Sequence, residues 1–295
     1  MANRHFAKAA DVWKHLPLVE ILSIERPSQY WESHAGSADY AWVDDPERRY
    51  GAARLAASAP REGSALASSR YLASLRTMGP ADGTLTRYHG SPLLAMSELG
   101  AGCSYLLCDL DPGSVADLSA AAARMDLADK VRVVAADGMA TLAEALATTA
   151  RPAEVVAHVD PYDPRAPGPS GLSTLDLARL LIDAGAGLVY WYGYDRPERR
   201  GWALDELAQG TTRPLWRGDM LVTGADGVTA IDGDLGDATT PGTGFGIVAA
   251  NLSRRSIEAC EALGAELGAL YDGAPLPDGT PGRLDFTTRS VVPRQ

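Results

Sequence analysis

Val12, Leu16, Val19 and Leu22 recur at helical spacing between Asp11 and Glu25 and predict an opening amphipathic helix. Pro17 in its middle predicts a kink or a later start. The run Tyr30–Gly36 follows and reads as a short strand running into a small-residue turn. Residues 38–90 are different: rich in Ala, Arg, Ser and Gly, without a strand-like run, and with a helical stretch over Ala65–Met78. They read as a helical insertion. From Ser104 the pattern alternates as in an α/β sheet. Strands are expected over 104–109, 130–136, 154–159 and 187–192, and helices from Asp111, over 139–148 and over 172–184. Beyond Arg213, strands are expected over 215–223 and 244–251, antiparallel ones among them, and an amphipathic helix over Ser256–Leu270. The Gly/Asp/Thr-rich stretch 224–242 reads as a hairpin or surface loop. Its acids, Asp226, Asp232, Asp234 and Asp237, lack the spacing of an EF-hand. The proline-rich end from Asp272 is expected to wrap the surface.

Composition narrows the class. In 295 residues, 46% hydrophobic and 22% charged positions fit a folded globular chain and exclude a disordered one. Three cysteines, Cys103, Cys108 and Cys260, form no zinc pattern, and their odd number fits a reducing compartment. No apolar run is long enough to cross a bilayer, and the opening residues are too polar for a signal peptide, so a cytoplasmic, non-membrane protein is expected. The net charge of −11 argues against a broad basic face for nucleic acid. Any such binding needs a local patch.

The candidate chemistry lies at strand ends, where open parallel sheets bind ligands. Asp109, Asp137-Gly138 and Asp160-Pro161-Tyr162 close three successive strands. A carboxylate at Asp109 can accept from both hydroxyls of a ribose. Asp137 can accept from an adenine amino group, and Gly138 lets backbone approach the base. Acids at these strand ends resemble the placement in class I methyltransferases, which implies that Asp160 would stand where the methyl group meets its acceptor. Plainer readings stand beside these. His34 could cap a helix, Lys14 and His15 could be a solvated helix face, and Ser91 before Pro92 is an ordinary N-cap. Trp191 with Tyr190, Tyr192 and Tyr194 could be core or an aromatic wall for a flat or cationic substrate.

Six motifs in one order identify a family. Asp11-Val-Trp-Lys-His15, Glu32-Ser-His-Ala-Gly36, Tyr88-His-Gly-Ser-Pro-Leu93, Cys108-Asp-Leu-Asp-Pro112, Ala136-Asp-Gly138 and Val159-Asp-Pro-Tyr162 follow one another. The set resembles the RlmJ-type 23S rRNA adenine-N6 methyltransferases, which carry ADVLKH, DTHAG, GSPL, an acid before Leu-x-Pro, ADG and DPPY. The resemblance covers roughly the first 195 residues. It implies a Rossmann-like class I methyltransferase core (1–37 and 91–295) with a small helical subdomain inserted at 38–90. It implies S-adenosylmethionine as cofactor, bound by His15, His34, Ser91, Asp109, Asp137 and Gly138, with Lys14 beside it. Asp160 would bind and orient the acceptor amine at the end of that site, with Tyr162 as the aromatic of the catalytic motif. No metal is implied.

This chain departs from the family at the acceptor. The motif reads Asp160-Pro161-Tyr162-Asp163, with Tyr162 in the place of the second proline and Asp163 as an added carboxylate. The family's N-terminal Tyr-Arg-His segment, associated with RNA, is shortened to Asn3-Arg4-His5. The expectation is an S-adenosylmethionine-dependent N-methyltransferase with a diverged acceptor site, acting on rRNA or on a small amine-containing substrate. The alternative is a small-molecule enzyme that methylates amines or cyclises or cleaves the cofactor. A third is a non-catalytic binding module. The sequence leaves the oligomeric state open.

Overall fold

The computed structural model describes residues 5–224 and 242–292. The Gly/Asp/Thr-rich stretch, apart from its ends, and Asn3 and Arg4 lie outside the described residues.

In chain order the elements are α1 (Ala9–Glu25), β1 (Gln29–Glu32), β2 (Asp39–Ala41), α2 (Pro46–Arg48), α3 (Arg54–Ala57), α4 (Arg70–Leu75), β3 (Arg87–His89), α5 (Ser91–Leu99) and β4 (Ser104–Cys108). Then come α6 (Pro112–Arg124), β5 (Val131–Val134), α7 (Gly138–Thr148), β6 (Val155–Val159), α8 (Thr174–Ala184) and β7 (Gly187–Tyr194). The last are α9 (Trp202–Ala208), β8 (Leu215–Gly224), β9 (Gly244–Ala250), α10 (Arg254–Leu270), β10 (Ala274–Pro275) and β11 (Pro281–Val291). The main sheet runs β10-β11-β8-β9-β7-β6-β1-β4-β5. From β7 to β5 the pairings are parallel; from β9 outward they are antiparallel. This is the mixed α/β sheet that the resemblance implies. The strand order reverses at β1, with β4 on one side and β6 on the other, which makes their carboxyl ends the switch point where such sheets open a crevice.

Local chemistry explains most element boundaries. The inner strands β4, β6 and β7 are near-continuous apolar runs because helices cover both faces. Asp111, Asp137 and Ser173 cap α6, α7 and α8 by accepting from the backbone N–H groups of Ser114, Met139 and Asp176. Pro17 neither ends nor delays α1, which begins earlier than expected at Ala9. One face of the sheet packs on α1, α5, α6 and α10, the other on α7, α8 and α9.

Three expectations need correction. Segment 38–90 is not purely helical: β2 and β3 pair at its two ends, and the expected long helix is cut to α4. Small and polar residues give the helical stretches little apolar face of their own, so they pack on α1 and α10 instead. Glu266 of α10 accepts from the Ala65 and Leu66 amides, and Tyr271 donates to the Gly51 carbonyl. The proline-rich end does not wrap the surface; β11 pairs with β8 along its whole length. Its prolines fall at the margins, where ladder donors are not needed. Ser91 is not an N-cap: Gly90 holds that position and Ser91 is the first helical residue.

Candidate active site

Five of the sequence-predicted site residues meet around one small, open cleft of about 30 Å³ at the switch point. Lys14, His15, His34, Ser91 and Asp160 line it, with Phe6, Asp11, Tyr40, Tyr88 and Gly36 among the remaining walls. Asp109, Asp137, Gly138 and Tyr162 do not line this cleft, although Gly36 in its wall is bonded to Asp109.

The end of β6 carries the charged centre. Lys14 Nζ donates to Asp160 Oδ2 at 2.7 Å and lies 2.9 Å from Asp11 Oδ1, and its ammonium stands 5.8 Å from the Trp191 ring centroid. Burial opposes the Lys14 charge, but the two carboxylates outweigh it and raise its pKa well above the usual lysine value. Burial likewise works to raise the Asp160 carboxyl, and is overcome by Lys14 and then His158, so that Asp160 stays ionised below the usual range. α1 therefore delivers a cation to a strand end 146 residues away.

The histidines are of the opposite kind. His15 Nδ1 is 2.8 Å from the Tyr88 hydroxyl, whose oxygen is 2.8 Å from that of Tyr71. Burial, then the Lys14 charge, pushes the His15 pKa well down. His34 Nδ1 is 2.8 Å from Ser33 Oγ. Burial lowers its pKa although Asp160, Asp109 and Asp137 all pull the other way. Both imidazoles are neutral near pH 7, each a hydrogen-bonding group and not a charge.

Asp109 and Asp137 organise main chain. Asp109 accepts from the Gly36 and Asp111 amides at 2.7 and 2.8 Å, tying the turn after β1 to the turn after β4. Asp137 accepts from the Met139 and Ser170 amides, each at 2.9 Å. Each carboxylate oxygen has a second lone pair, so both residues can still accept from a hydroxyl or amino group. Gly138 is required for another reason than approach to a base: a Cβ there would run into the Ser33 carbonyl oxygen. The donor and acceptor set thus fits a polar nucleoside laid across the strand ends.

Tyr162 is 83% exposed, its ring centroid 6.1 Å from that of His5. The tyrosines of β7 are core. Tyr190, Tyr192 and Tyr194 are buried, bonded to Thr174, Asp219 and the Met220 carbonyl respectively. Only Trp191, on the opposite face of the strand, reaches Lys14. Asp11, Tyr88 and a buried Glu32–His158 pair beneath the cleft were not anticipated as site residues. The signal for the last was a histidine inside the otherwise apolar β6 and an acid closing β1.

The model of the family described as "Ribosomal RNA large subunit methyltransferase D, RlmJ" matches residues 25–167. The match covers just under half of the chain and supports a methyltransferase that uses S-adenosylmethionine. Among solved structures, a Legionella pneumophila protein carrying the family label DUF519 is similar over 97% of this chain and 98% of its own, with 19% identity and a TM-score of 0.71. It shares the fold throughout. Geranyl diphosphate methyltransferase in complex with SAM (11% identity, 83% and 84% covered, TM-score 0.42) is far more distant. So is a SAM-dependent methyltransferase from Agrobacterium tumefaciens (18%, 54% and 51%, 0.35). Neither bears on the site. No curated protein matches this chain by sequence.

Proposed function

We propose that this chain is an RlmJ-type methyltransferase and methylates an amino nitrogen that Asp160 holds at the mouth of the switch-point cleft. The acceptor type implied by the family is an rRNA adenine. The observation that carries the reading is the convergence of Lys14, His15, His34 and Ser91 on an ionised Asp160 at the end of β6.

Asp109 would hold the ribose of the cofactor, Asp137 and the Gly138 backbone its adenine, and His15, His34 and Ser91 the remaining polar edge. S-adenosylmethionine, when bound, supplies an electrophilic methyl group on sulfur. Asp160 accepts an N–H from the amine and so points the nitrogen lone pair along the line of attack. Because Lys14 shares the carboxylate, Asp160 serves as a hydrogen-bond acceptor more than as a strong base, and positioning supplies most of the rate. Tyr162, exposed beside the cleft, is free to cover the face of an acceptor ring. In place of a proline it needs no fixed backbone to do so.

A small amine is the second reading, favoured by the net charge of −11, which opposes a phosphate backbone. Labelled methyl transfer to unmodified rRNA, against a panel of small amines, separates the two. Incorporation into rRNA that collapses with rising salt supports the first. Asp160→Asn should lower transfer about 10²-fold. Release of methylthioadenosine in place of S-adenosylhomocysteine would mean that the cofactor itself is cleaved, and transfer undiminished in Asp160→Asn would overturn the assignment of that residue.

A further inference from the structure

Beneath the cleft, the two strands that flank the switch point carry a polar pair with no part in the steps so far. Glu32 and His158 are register partners on β1 and β6. Both are completely buried, and His158 Nδ1 is 2.6 Å from Glu32 Oε1. Of their other polar atoms, His158 Nε2 has no hydrogen-bond partner among the described residues, while Ser91 and Tyr30 stand beside the Glu32 carboxylate. Their strand neighbours Trp31, Ala157 and Val159 are apolar and buried. An ionisable pair with an unsatisfied atom destabilises a sheet interior relative to aliphatic residues. Such pairs concentrate where a site needs them.

Position supplies the need. Side chains two apart share one face of a strand. The next outward positions on this face are His34 beyond β1 and Asp160 beyond β6, so Glu32 lies inboard of His34 and His158 inboard of Asp160. We propose that the Glu32–His158 pair is a positioning device for this site, holding one buried proton between β1 and β6 with its positive end beneath Asp160. The acceptor amine then meets Asp160 as a carboxylate. This rests on the reading that Asp160 receives the acceptor.

The surrounding groups agree with the assignment. Lys14 of α1 holds the outer side of Asp160, and His158 acts next after it in keeping Asp160 ionised. Of the imidazoles around the cleft, His15 of α1 is bonded to Tyr88 and His34 to Ser33, while His158 is bonded to a carboxylate. Burial raises the Glu32 pKa, and His158 and then Ser91 of α5 oppose it, with Asp160 adding to the rise. Tyr30 lies on the same face of β1 and feels the Glu32 charge. The proton therefore belongs to the pair and not to either residue.

The test follows the Asp160 carboxyl by carbon NMR through a pH titration of the ligand-free protein, in wild type and Glu32→Gln. Gln keeps the shape and a hydrogen bond to His158 but removes the charge. Without the carboxylate that holds its proton, His158 loses its charge. The loss of that cation beneath Asp160 outweighs the loss of the Glu32 charge, so Asp160 is expected to titrate about one pH unit higher in the variant. An unmoved Asp160 in folded Glu32→Gln overturns the proposal. Should that variant not fold, nitrogen NMR of wild-type His158 decides: both ring nitrogens protonated at neutral pH supports it, and one bare nitrogen overturns it. Calorimetry with S-adenosylmethionine on the wild type separates the failures. No binding there overturns the methyl-transfer reading and leaves the titration standing. Binding with an unmoved Asp160 overturns this inference alone.

Discussion

Two kinds of carboxylate stand at the strand ends. Asp109 and Asp137 are gripped by main-chain amides, and three of their four partners lie in the turns around β1, β4 and β5 that shape the cofactor side. Asp160 is gripped by a side chain, the Lys14 ammonium, delivered from α1 and itself braced by Asp11. The first arrangement organises backbone and leaves lone pairs for a neutral ligand. The second sets the charge of one functional atom. In the proposed reading, cofactor recognition is built into the turns, whereas acceptor recognition depends on packing between distant elements. The second is the easier to re-tune without disturbing the first, and it is at Tyr162 and Asp163 that this chain departs from the RlmJ-type motif it resembles.

That contrast breaks most visibly at Lys14. Lys14→Met leaves the Asp11 and Asp160 carboxylates buried and facing each other. It should cost about 3–5 kcal/mol of stability at neutral pH, read by denaturant unfolding. The pH dependence should invert as well. In wild type the depressed Asp160 contributes stability that is present above the usual carboxylate range and lost as pH falls through its lowered pKa. In Lys14→Met burial dominates and raises the Asp160 carboxyl, so the variant should regain stability as pH falls. A smaller effect is expected at Tyr162. Tyr162→Ala should leave stability unchanged, because the ring is exposed, while weakening a ring-bearing acceptor by about 0.5–1.5 kcal/mol in KM. An equal loss for an aliphatic amine would remove the stacking role. The smallest effect lies off the site. Tyr192→Phe deletes a hydrogen bond to buried Asp219 and should cost about 1 kcal/mol of stability with cofactor affinity intact.

The same contrast explains what could be read from the sequence. Asp109, Asp137 and Asp160 were legible because strand ends follow from apolar runs and a polar stop. The 73-residue gap between the Gly36 turn and Asp109 is spanned by chain that packs on α1 and α10. What stayed hidden depends on which distant elements meet. Residues 281–291 alternate poorly and carry charges, yet pairing with β8 makes them a strand. Tyr190, Tyr192 and Tyr194 share a run with Trp191, and only sheet position tells that the tyrosines are core while Trp191 faces Lys14. Glu32 and His158 lie 126 residues apart, and no spacing rule joins them.

The most direct measurement is calorimetric titration of S-adenosylhomocysteine into the wild-type protein and Asp109→Ala. Loss of two hydrogen bonds to a charged acceptor should weaken the nucleoside by about 1.5–3 kcal/mol, roughly ten- to a hundredfold in Kd. Equal affinity in the two proteins, or no heat from the wild type, would mean that no sugar rests on the end of β4.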